Sequence, residues 1–207
     1  MSGAQELGRA AAALDVALVA AQVATLERYL DLLEKWNRVY NLTAIRERSR
    51  MVTHHLLDSL AALPHVHGPR VLDVGSGAGL PGIPIAIAGP ALHVALLESN
   101  HKKSAFLTQA VAELQLANVQ VVTERIESWQ TETRFDTIVS RAFAELGEFA
   151  SLAGRLLAPQ GVLAAMKGVH PFEEIERLPK AFRVQEVVRL RVPGLDAERH
   201  LVLMGAA

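Results

Sequence analysis

A cluster of glycines behind a short apolar segment is the feature of this chain that points most directly to chemistry. The segment VLDVGSGAGLPG spans residues 71–82 and carries Asp73 in its apolar start. Its four glycines are Gly75, Gly77, Gly79 and Gly82. Glycine adopts positive φ and allows a ligand to approach the backbone closely. Because doubly wound folds bind nucleotides at the carboxyl end of the first parallel strand, we predict a nucleotide-like ligand on this glycine loop (residues 75–82).

Two ligand classes compete for the glycine loop. The stretch from Gly77 to Gly82 fits the dinucleotide pattern GxGxxG, which keeps an NAD-dependent oxidoreductase as an alternative. Read from Gly75, the glycine nearest the strand, the sixth position is Leu80 and the pattern fails. The charge of Asp73 beside the loop disfavours a pyrophosphate and suits an ammonium or sulfonium cation. The pattern D-x-G-x-G-x-G, followed by an acid at the end of the second strand, therefore favours S-adenosylmethionine.

Further candidate residues follow the other apolar strands. Glu98 ends the second strand, where a carboxylate accepts hydrogen bonds from ribose hydroxyls. Ile126 and Glu127 follow the third strand, beside the expected position of an adenine ring. Arg141 follows the fourth strand, and its forked guanidinium suits guanine or phosphate. Lys167 ends the fifth strand, where its ammonium could hold a phosphate.

The residue types also exclude several reactions. The chain contains no cysteine, which excludes thiolate zinc sites, cysteine-held iron–sulfur clusters and the cysteine nucleophile of pyrimidine C5 methylation. The Ser-Arg-Ala-Phe of residues 140–143 differs from the Asn/Asp-Pro-Pro-aromatic motif of enzymes that methylate exocyclic amines. Direct displacement onto an acceptor that is already nucleophilic remains, and guanine N7 is one. Catalysis would then depend on positioning and electrostatics, with Arg141 and Lys167 as candidates.

Composition limits the partners and the location. The chain has 207 residues, half of them apolar, and a formal net charge of −1, so an RNA partner must be bound by a local basic patch. A non-catalytic RNA-binding role in ribosome assembly stays an alternative, because fold alone does not establish activity. No run reaches the roughly 18 apolar residues of a membrane span, and we expect a cytoplasmic protein without a membrane segment. We also expect no metal site, because the adjacent His54 and His55 would point apart on a helix.

The elements that must position these residues fall into two parts. Residues 1–66 predict an N-terminal helical extension packed on the core, and the alanine-rich stretch 11–26 is interpreted as a helix. One buried helix face is predicted for Val23, Leu26, Leu30, Leu33, Asn37 and Tyr40, and a second for Val52, Leu56, Leu60 and Leu63. In residues 67–207, the predicted strands are 71–75, 93–98, 119–122, 135–140 and 162–167, and the predicted helices are 82–88, 101–116 and 145–157. A turn at residues 159–161 precedes the fifth strand, and a hairpin around residues 193–196 ends the chain. This alternation predicts an α/β fold with a doubly wound, mostly parallel sheet of about seven strands.

Five segments carry a resemblance to a known family. They are KWNRVYNLTAI (35–45), HHLLDSL (54–60), LDVGSGAGLPGIP (72–84), SRAFA (140–144) and MKG (166–168). With these segments the chain resembles the glucose-inhibited division protein B family, the ribosomal RNA small-subunit methyltransferases G. The resemblance implies a class I, Rossmann-like methyltransferase domain with an N-terminal helical extension, which uses S-adenosylmethionine. It also implies N7 methylation of guanosine 527 in 16S ribosomal RNA, free or in the small ribosomal subunit.

The resemblance also assigns cofactor contacts by position. They are Gly75, Leu80, Ile126, Glu127 and Arg141. The physical reasoning on the loop and the strand end adds Asp73, Gly77, Gly79 and Glu98. We expect a monomer that acts on RNA.

Overall fold

A seven-stranded mixed sheet forms the centre of the molecule, in a computed structural model that describes residues 3–207. The strands are β1 (Arg70–Val74), β2 (His93–Leu97), β3 (Val119–Val122), β4 (Phe135–Ser140), β5 (Leu157–Lys167), β6 (Phe182–Arg189) and β7 (His200–Ala206). Their order is β3-β2-β1-β4-β5-β7-β6. The first five strands of the chain, β1 to β5, all run parallel to one another. Strand β7 runs antiparallel to both β5 and β6. The predicted doubly wound sheet with an antiparallel C-terminal element is confirmed.

Helices cover both faces of the sheet. They are α1 (Gly3–Ala12), α2 (Ala20–Tyr40), α3 (Arg48–Met51), α4 (Asp58–Leu60), α5 (Gly82–Ala88), α6 (His101–Glu113), α7 (Leu146–Ala153) and α8 (Phe172–Glu176). A π-helical segment, Val52–Leu57, joins α3 to α4, and short 3₁₀ turns lie at Leu63–His65 and Gly154–Leu156. None of the helices in the described part of the chain is long and apolar enough to cross a membrane.

Two apolar clusters hold the sheet between its helical layers. Side chains of a strand alternate between the faces, so Val71 lies in one cluster and Leu72 in the other. The cluster of Val71 also contains the buried face of α2, and Trp36 of this helix packs edge-on against Phe106 of α6, with ring centroids 5.6 Å apart. The N-terminal helices therefore share a core with the helices on one face of the sheet.

The N-terminal helices differ from the prediction in two details. The helix expected over residues 11–26 is broken, because α1 ends at Ala12, Asp15 has a φ of 59°, and α2 begins at Ala20. The predicted burial of Tyr40 is wrong, because this residue is 45% exposed at the end of α2. Tyr29 is fully buried instead, since it lies three residues after Leu26 and four before Leu33 on a wider apolar stripe.

The turn predicted ahead of the fifth strand lies inside β5. This strand already begins at Leu157, which pairs with Phe135. The register shifts between Phe135 and Thr137, and Gln160 has a φ of 64°. The residues of the predicted turn therefore form an irregularity within the strand, a position at which proline and glycine are tolerated.

The π-helical segment changes the phase of the helix between residues 48 and 60. It adds about one residue to a turn, so side chains beyond it rotate relative to the 3.6-residue pattern. Met51, Leu56 and Leu57 are buried, whereas Val52 is half-buried. The same segment contains His54 and His55 and leads directly into Asp58.

Candidate functional site

The glycine loop connects β1 to α5 and has left-handed backbone at three glycines. The φ angles are 70° at Gly75, 58° at Gly77 and 87° at Gly79. A Cβ atom at Gly75 would lie 2.7 Å from the Cβ of Ala142, so the end of β4 approaches the loop directly. At Gly77 a Cβ would meet nothing closer than the carbonyl oxygen of Gly75 at 3.8 Å. The loop is therefore crowded at its β4 side and open at Gly77.

Asp73 lies beneath the glycine loop and is fully buried. Its Oδ2 accepts a hydrogen bond from the Gly82 backbone N–H at 2.9 Å, which ties the end of the loop to β1. Its Oδ1 has no hydrogen-bond partner within residues 3–207. Burial raises the pKa of Asp73 to about 7, against the lowering effect of the Gly82 hydrogen bond. Asp73 thus braces the loop with one carboxylate oxygen and keeps the other one free.

A tyrosine of the N-terminal helices also supports the glycine loop. The Tyr29 hydroxyl donates a hydrogen bond to the carbonyl oxygen of Ala78 at 2.6 Å. The phenol is fully buried, and burial raises its pKa well above the ordinary value. The conformation of the loop therefore depends on α2 as well as on the sheet.

Glu98 holds the same loop from the end of β2. Its Oε2 accepts from the Gly77 N–H at 2.8 Å and its Oε1 accepts from the Asn100 N–H at 2.7 Å. Each carboxylate oxygen can accept a second hydrogen bond, so Glu98 retains capacity for ligand hydroxyls. Glu98 therefore braces the loop, and its predicted contact with ribose hydroxyls stays a prediction.

A first cavity of about 180 Å³ opens between the ends of β1, β2 and β4. Its lining includes Gly75, Leu97, Ile126, Glu127 and Ala142, together with Phe143. The carbonyl oxygen of Ile126 accepts a hydrogen bond from Arg155, which fixes the segment that follows β3. Three predicted cofactor residues, Gly75, Ile126 and Glu127, therefore meet at one cavity.

Leu80 and Arg141 are placed differently from those three residues. The Leu80 side chain is buried in the core, and its N–H donates to the carbonyl oxygen of Ser76 at 3.0 Å. Arg141 follows β4 and turns away from the first cavity, whereas its neighbour Ala142 lines it. The cofactor contacts predicted at Leu80 and Arg141 stay predictions.

A second cavity of about 370 Å³ lies on the other side of the end of β4. Its lining residues come from the N-terminal helices, β4, β5 and the segment before β7. They are Ile45, His54, His55, Asp58, Arg141, Met166, Lys167, Gly168 and Arg199. The structure thus brings Arg141 and Lys167 together, as predicted for two residues at neighbouring strand ends.

The ion pairs around this second cavity fix its charged side chains. Arg141 Nη1 donates to Asp58 Oδ2 at 3.2 Å, and Arg199 Nε donates to Asp58 Oδ1 at 2.9 Å. Lys167 Nζ lies 2.6 Å from Glu174 Oε2, which neutralises its charge. Sequence reasoning missed Asp58 and Arg199. Asp58 lies in the HHLLDSL segment but carried no chemical signal there, and nothing near Arg199 marked it.

His55, on the π-helical segment, is packed and hydrogen-bonded. Its Nε2 lies 2.9 Å from Thr43 Oγ1, and the residue is 4% exposed. Burial, reinforced by the nearby charge of Arg141, lowers the pKa of His55 to about 4. The ring is therefore neutral at neutral pH. Within residues 3–207 no group of three or more histidine, aspartate or glutamate side chains is arranged to hold a metal ion.

Comparison with solved structures identifies the class of fold. A glycopeptide N-methyltransferase, MtfA, in complex with S-adenosyl-L-homocysteine superposes with a TM-score of 0.63 at 13% identity, over 74% of this chain and 87% of that one. TYW2 of P. horikoshii, in complex with MeSAdo, gives a TM-score of 0.54 at 16% identity, over 69% and 59% of the two chains. The fold is that of the class I methyltransferases, which confirms the predicted fold class.

Comparison of sequences identifies the family. The family model described as rRNA small subunit methyltransferase G matches residues 22–202. The chain is 60% identical over 200 residues to ribosomal RNA small subunit methyltransferase G of Chromobacterium violaceum, with 96% of each chain covered. It is 50% identical to the protein of the same name of Nitrosospira multiformis, with 100% of this chain and 99% of the other covered. The chain belongs to the rRNA small subunit methyltransferase G family, so the resemblance is confirmed and the oxidoreductase and non-catalytic alternatives are not supported.

Proposed function

We propose that this protein transfers a methyl group from S-adenosylmethionine to N7 of a guanosine in 16S ribosomal RNA. The target implied by the family resemblance is guanosine 527. One observation supports the proposal above others: the end of β4 separates two cavities, with Ala142 in the lining of one and Arg141 in the lining of the other. A methyl donor on one side and an acceptor base on the other would meet at this strand end.

The first cavity and the glycine loop fit the chemistry of S-adenosylmethionine. Leu97 and Ile126 offer apolar surface to a flat ring, and Glu98 keeps acceptor capacity for ribose hydroxyls. The free Oδ1 of Asp73 and the open backbone at Gly77 suit the cationic end of the molecule. We assign these residues, with Gly75, Gly79, Leu80 and Glu127, to cofactor binding. When bound, S-adenosylmethionine supplies a methyl group on a positively charged sulfur.

The second cavity fits an acceptor that needs no general base. The lone pair of guanine N7 is already available, so the protein has only to position the base. Both oxygens of Asp58 accept hydrogen bonds from guanidinium groups. His55 is hydrogen-bonded to Thr43 through Nε2, and its Nδ1 is buried without a partner among the described residues. Among the described residues, Nε and Nη2 of Arg141 have no hydrogen-bond partner, so this fork can donate to O6 or a phosphate and leave N7 free.

Lys167 remains a proposed catalytic residue with a defined surrounding. Its ammonium donates to Glu174 and to the carbonyl oxygens of Phe143 and Ala144. These bonds hold the segment after β4 against α8. Lys167 would contact RNA only if a phosphate replaced Glu174 as the partner of its ammonium group. Otherwise Lys167 supports the loop that begins at Arg141. We further propose that the protein acts as a metal-free monomer in the cytoplasm, on 16S RNA or the small ribosomal subunit.

Methyl transfer to small ribosomal subunits that lack the modification tests this function. The wild-type protein should transfer label from methyl-labelled S-adenosylmethionine to the RNA. Arg141→Ala should reduce the rate by about 100-fold or more, because a preorganised charged donor typically contributes that much. Arg134→Ala is the matched control, because Arg134 is exposed and bonds only to carbonyl oxygens of its own loop. No transfer by the wild-type protein would refute the function, and full activity of Arg141→Ala would remove Arg141 from the mechanism.

A further inference from the structure

A buried carboxylate joins three distant parts of the chain at the second cavity. The side chain of Asp58, in α4, is only 2% exposed and accepts one guanidinium on each oxygen. Arg141 follows β4, and Arg199 directly precedes β7. A buried carboxylate needs such partners, because an unpaired charge in the interior is strongly unfavourable. Asp58 therefore fixes the position of both guanidinium groups.

The guanidinium groups are held but not saturated. Arg141 Nη1 also donates to the carbonyl oxygen of His54 at 3.2 Å, and Arg199 Nη1 donates to that of Glu198 at 2.8 Å. Nη2 of Arg141 and Nη2 of Arg199 have no partner within residues 3–207. The two side chains are 31% and 24% exposed, and both line the second cavity. Arg141 thus keeps its Nε–Nη2 edge available to a ligand, and Arg199 keeps its Nη2 group.

The charge of this group matches one phosphodiester. Two guanidinium groups against one carboxylate leave a single net positive charge, while Glu174 neutralises the neighbouring Lys167. A phosphodiester carries one negative charge, and its two free oxygens suit the planar N–H donors of arginine. His55 adds no charge because it is neutral at neutral pH.

We propose that Arg199, positioned by Asp58, binds a phosphate of the RNA strand beside the target nucleotide and forms a two-arginine clamp with Arg141. The inference rests on the proposed function and adds the contact that holds the RNA backbone at the second cavity. Arg199 is the substrate-binding residue here, and Asp58 acts through it as a positioning residue. The clamp also gives the N-terminal helices a role in RNA binding, because they supply Asp58.

The test compares variants of Arg199 with a matched control in the same hairpin. Arg199→Ala, Arg199→Lys and Arg191→Ala are assayed on unmodified small subunits over a range of potassium chloride concentrations. Arg191 is exposed, lies outside the second cavity and loses the same charge. Arg199→Ala should raise KM by about tenfold or more and reduce the slope of log KM against log salt by about 0.7 to 0.9, the value for one phosphate contact. Arg199→Lys should keep the slope, because it keeps the charge, and raise KM less.

A further variant tests the role of Asp58, and cofactor affinity separates the possible outcomes. In an Asp58→Asn background, Arg199→Ala should raise KM by less than it does in the wild-type background, because Arg199 is then no longer positioned. The affinity for S-adenosylmethionine should stay within about twofold of wild type in every Arg199 variant, since Arg199 is absent from the first cavity. An Arg199→Ala protein that behaves like Arg191→Ala would overturn the inference, as would a raised KM with an unchanged salt slope, which indicates a base contact. A wild-type protein without activity would instead refute the proposed function itself.

Discussion

Replacement of Asp73 by asparagine should change how the stability of the protein depends on pH. Asparagine preserves the shape and the acceptor for the Gly82 N–H, whereas it removes the ionisable group. Burial raises the pKa of Asp73 from 3.8 to about 7, so the folded state binds a proton that the unfolded state releases. Because the folded pKa is raised, the contribution of this carboxyl to stability falls as pH rises from about 4 to about 7.

The magnitude follows from the two pKa values. A difference of one pKa unit corresponds to about 1.4 kcal/mol, and the separation here is about three units. Between about pH 5 and about pH 8, the wild-type protein should therefore lose about 2 to 3 kcal/mol relative to Asp73→Asn. The comparison between variants matters, because the depressed pKa of His55 has the opposite effect in part of this range.

Urea unfolding of both proteins at the two pH values measures this difference. Asp136→Asn serves as the control, since Asp136 is more exposed and its pKa is lowered, so its titration lies below this range. The control should reproduce the wild-type dependence. If Asp73→Asn and wild type show the same change between the two pH values, the carboxyl is not buried as described and the reasoning fails. The same variant should bind S-adenosylmethionine at least tenfold more weakly, because its side chain carries no charge for the cationic end.

Three further variants test the supports of the site. Tyr29→Phe should cost about 1 to 3 kcal/mol in urea unfolding, because the buried carbonyl oxygen of Ala78 loses its donor, whereas the exposed Tyr40→Phe should cost nothing measurable. Gly75→Ala should abolish cofactor binding in calorimetry, since its Cβ would lie 2.7 Å from Ala142, whereas Gly77→Ala should fold with about 1 to 2 kcal/mol of backbone strain. Equal losses of cofactor affinity in Gly75→Ala and Gly77→Ala would contradict the described loop. As the pH falls from about 6.5 to about 4, the wild-type protein should lose up to about 3 kcal/mol of stability through His55, because only the unfolded histidine binds the proton there. His55→Gln should not show this loss.

Local patterns predicted the sheet and the glycine loop because their causes are local. Apolar strands alternating with helices leave few topologies besides a doubly wound sheet, and positive φ at three loop positions requires residues such as glycine. The carboxyl ends of neighbouring parallel strands meet at one edge, so Glu98, Ile126 and Arg141 were expected near the loop. The structure adds that the end of β4 divides this edge into two cavities.

The missed features depend on contacts between distant residues or on local exceptions. Asp58 and Arg199 are 141 residues apart in sequence, and no pattern of spacing connects them. The π-helical segment escapes a reading that assumes 3.6 residues per turn, although it sets the direction of Asp58. The irregularity in β5 resembles a turn in sequence, because proline and glycine occur in both.

The position and chemistry of the transferred methyl group test the central claim most directly. Small subunits that lack the modification are incubated with the protein and S-adenosylmethionine, and the 16S RNA is then reduced with borohydride and cleaved with aniline. This treatment breaks the strand at 7-methylguanosine, and primer extension locates the break. We predict one new stop at guanosine 527, which depends on the wild-type protein and is lost with Arg141→Ala. A methyl group on another atom of guanine, or a stop at another position, would contradict the account.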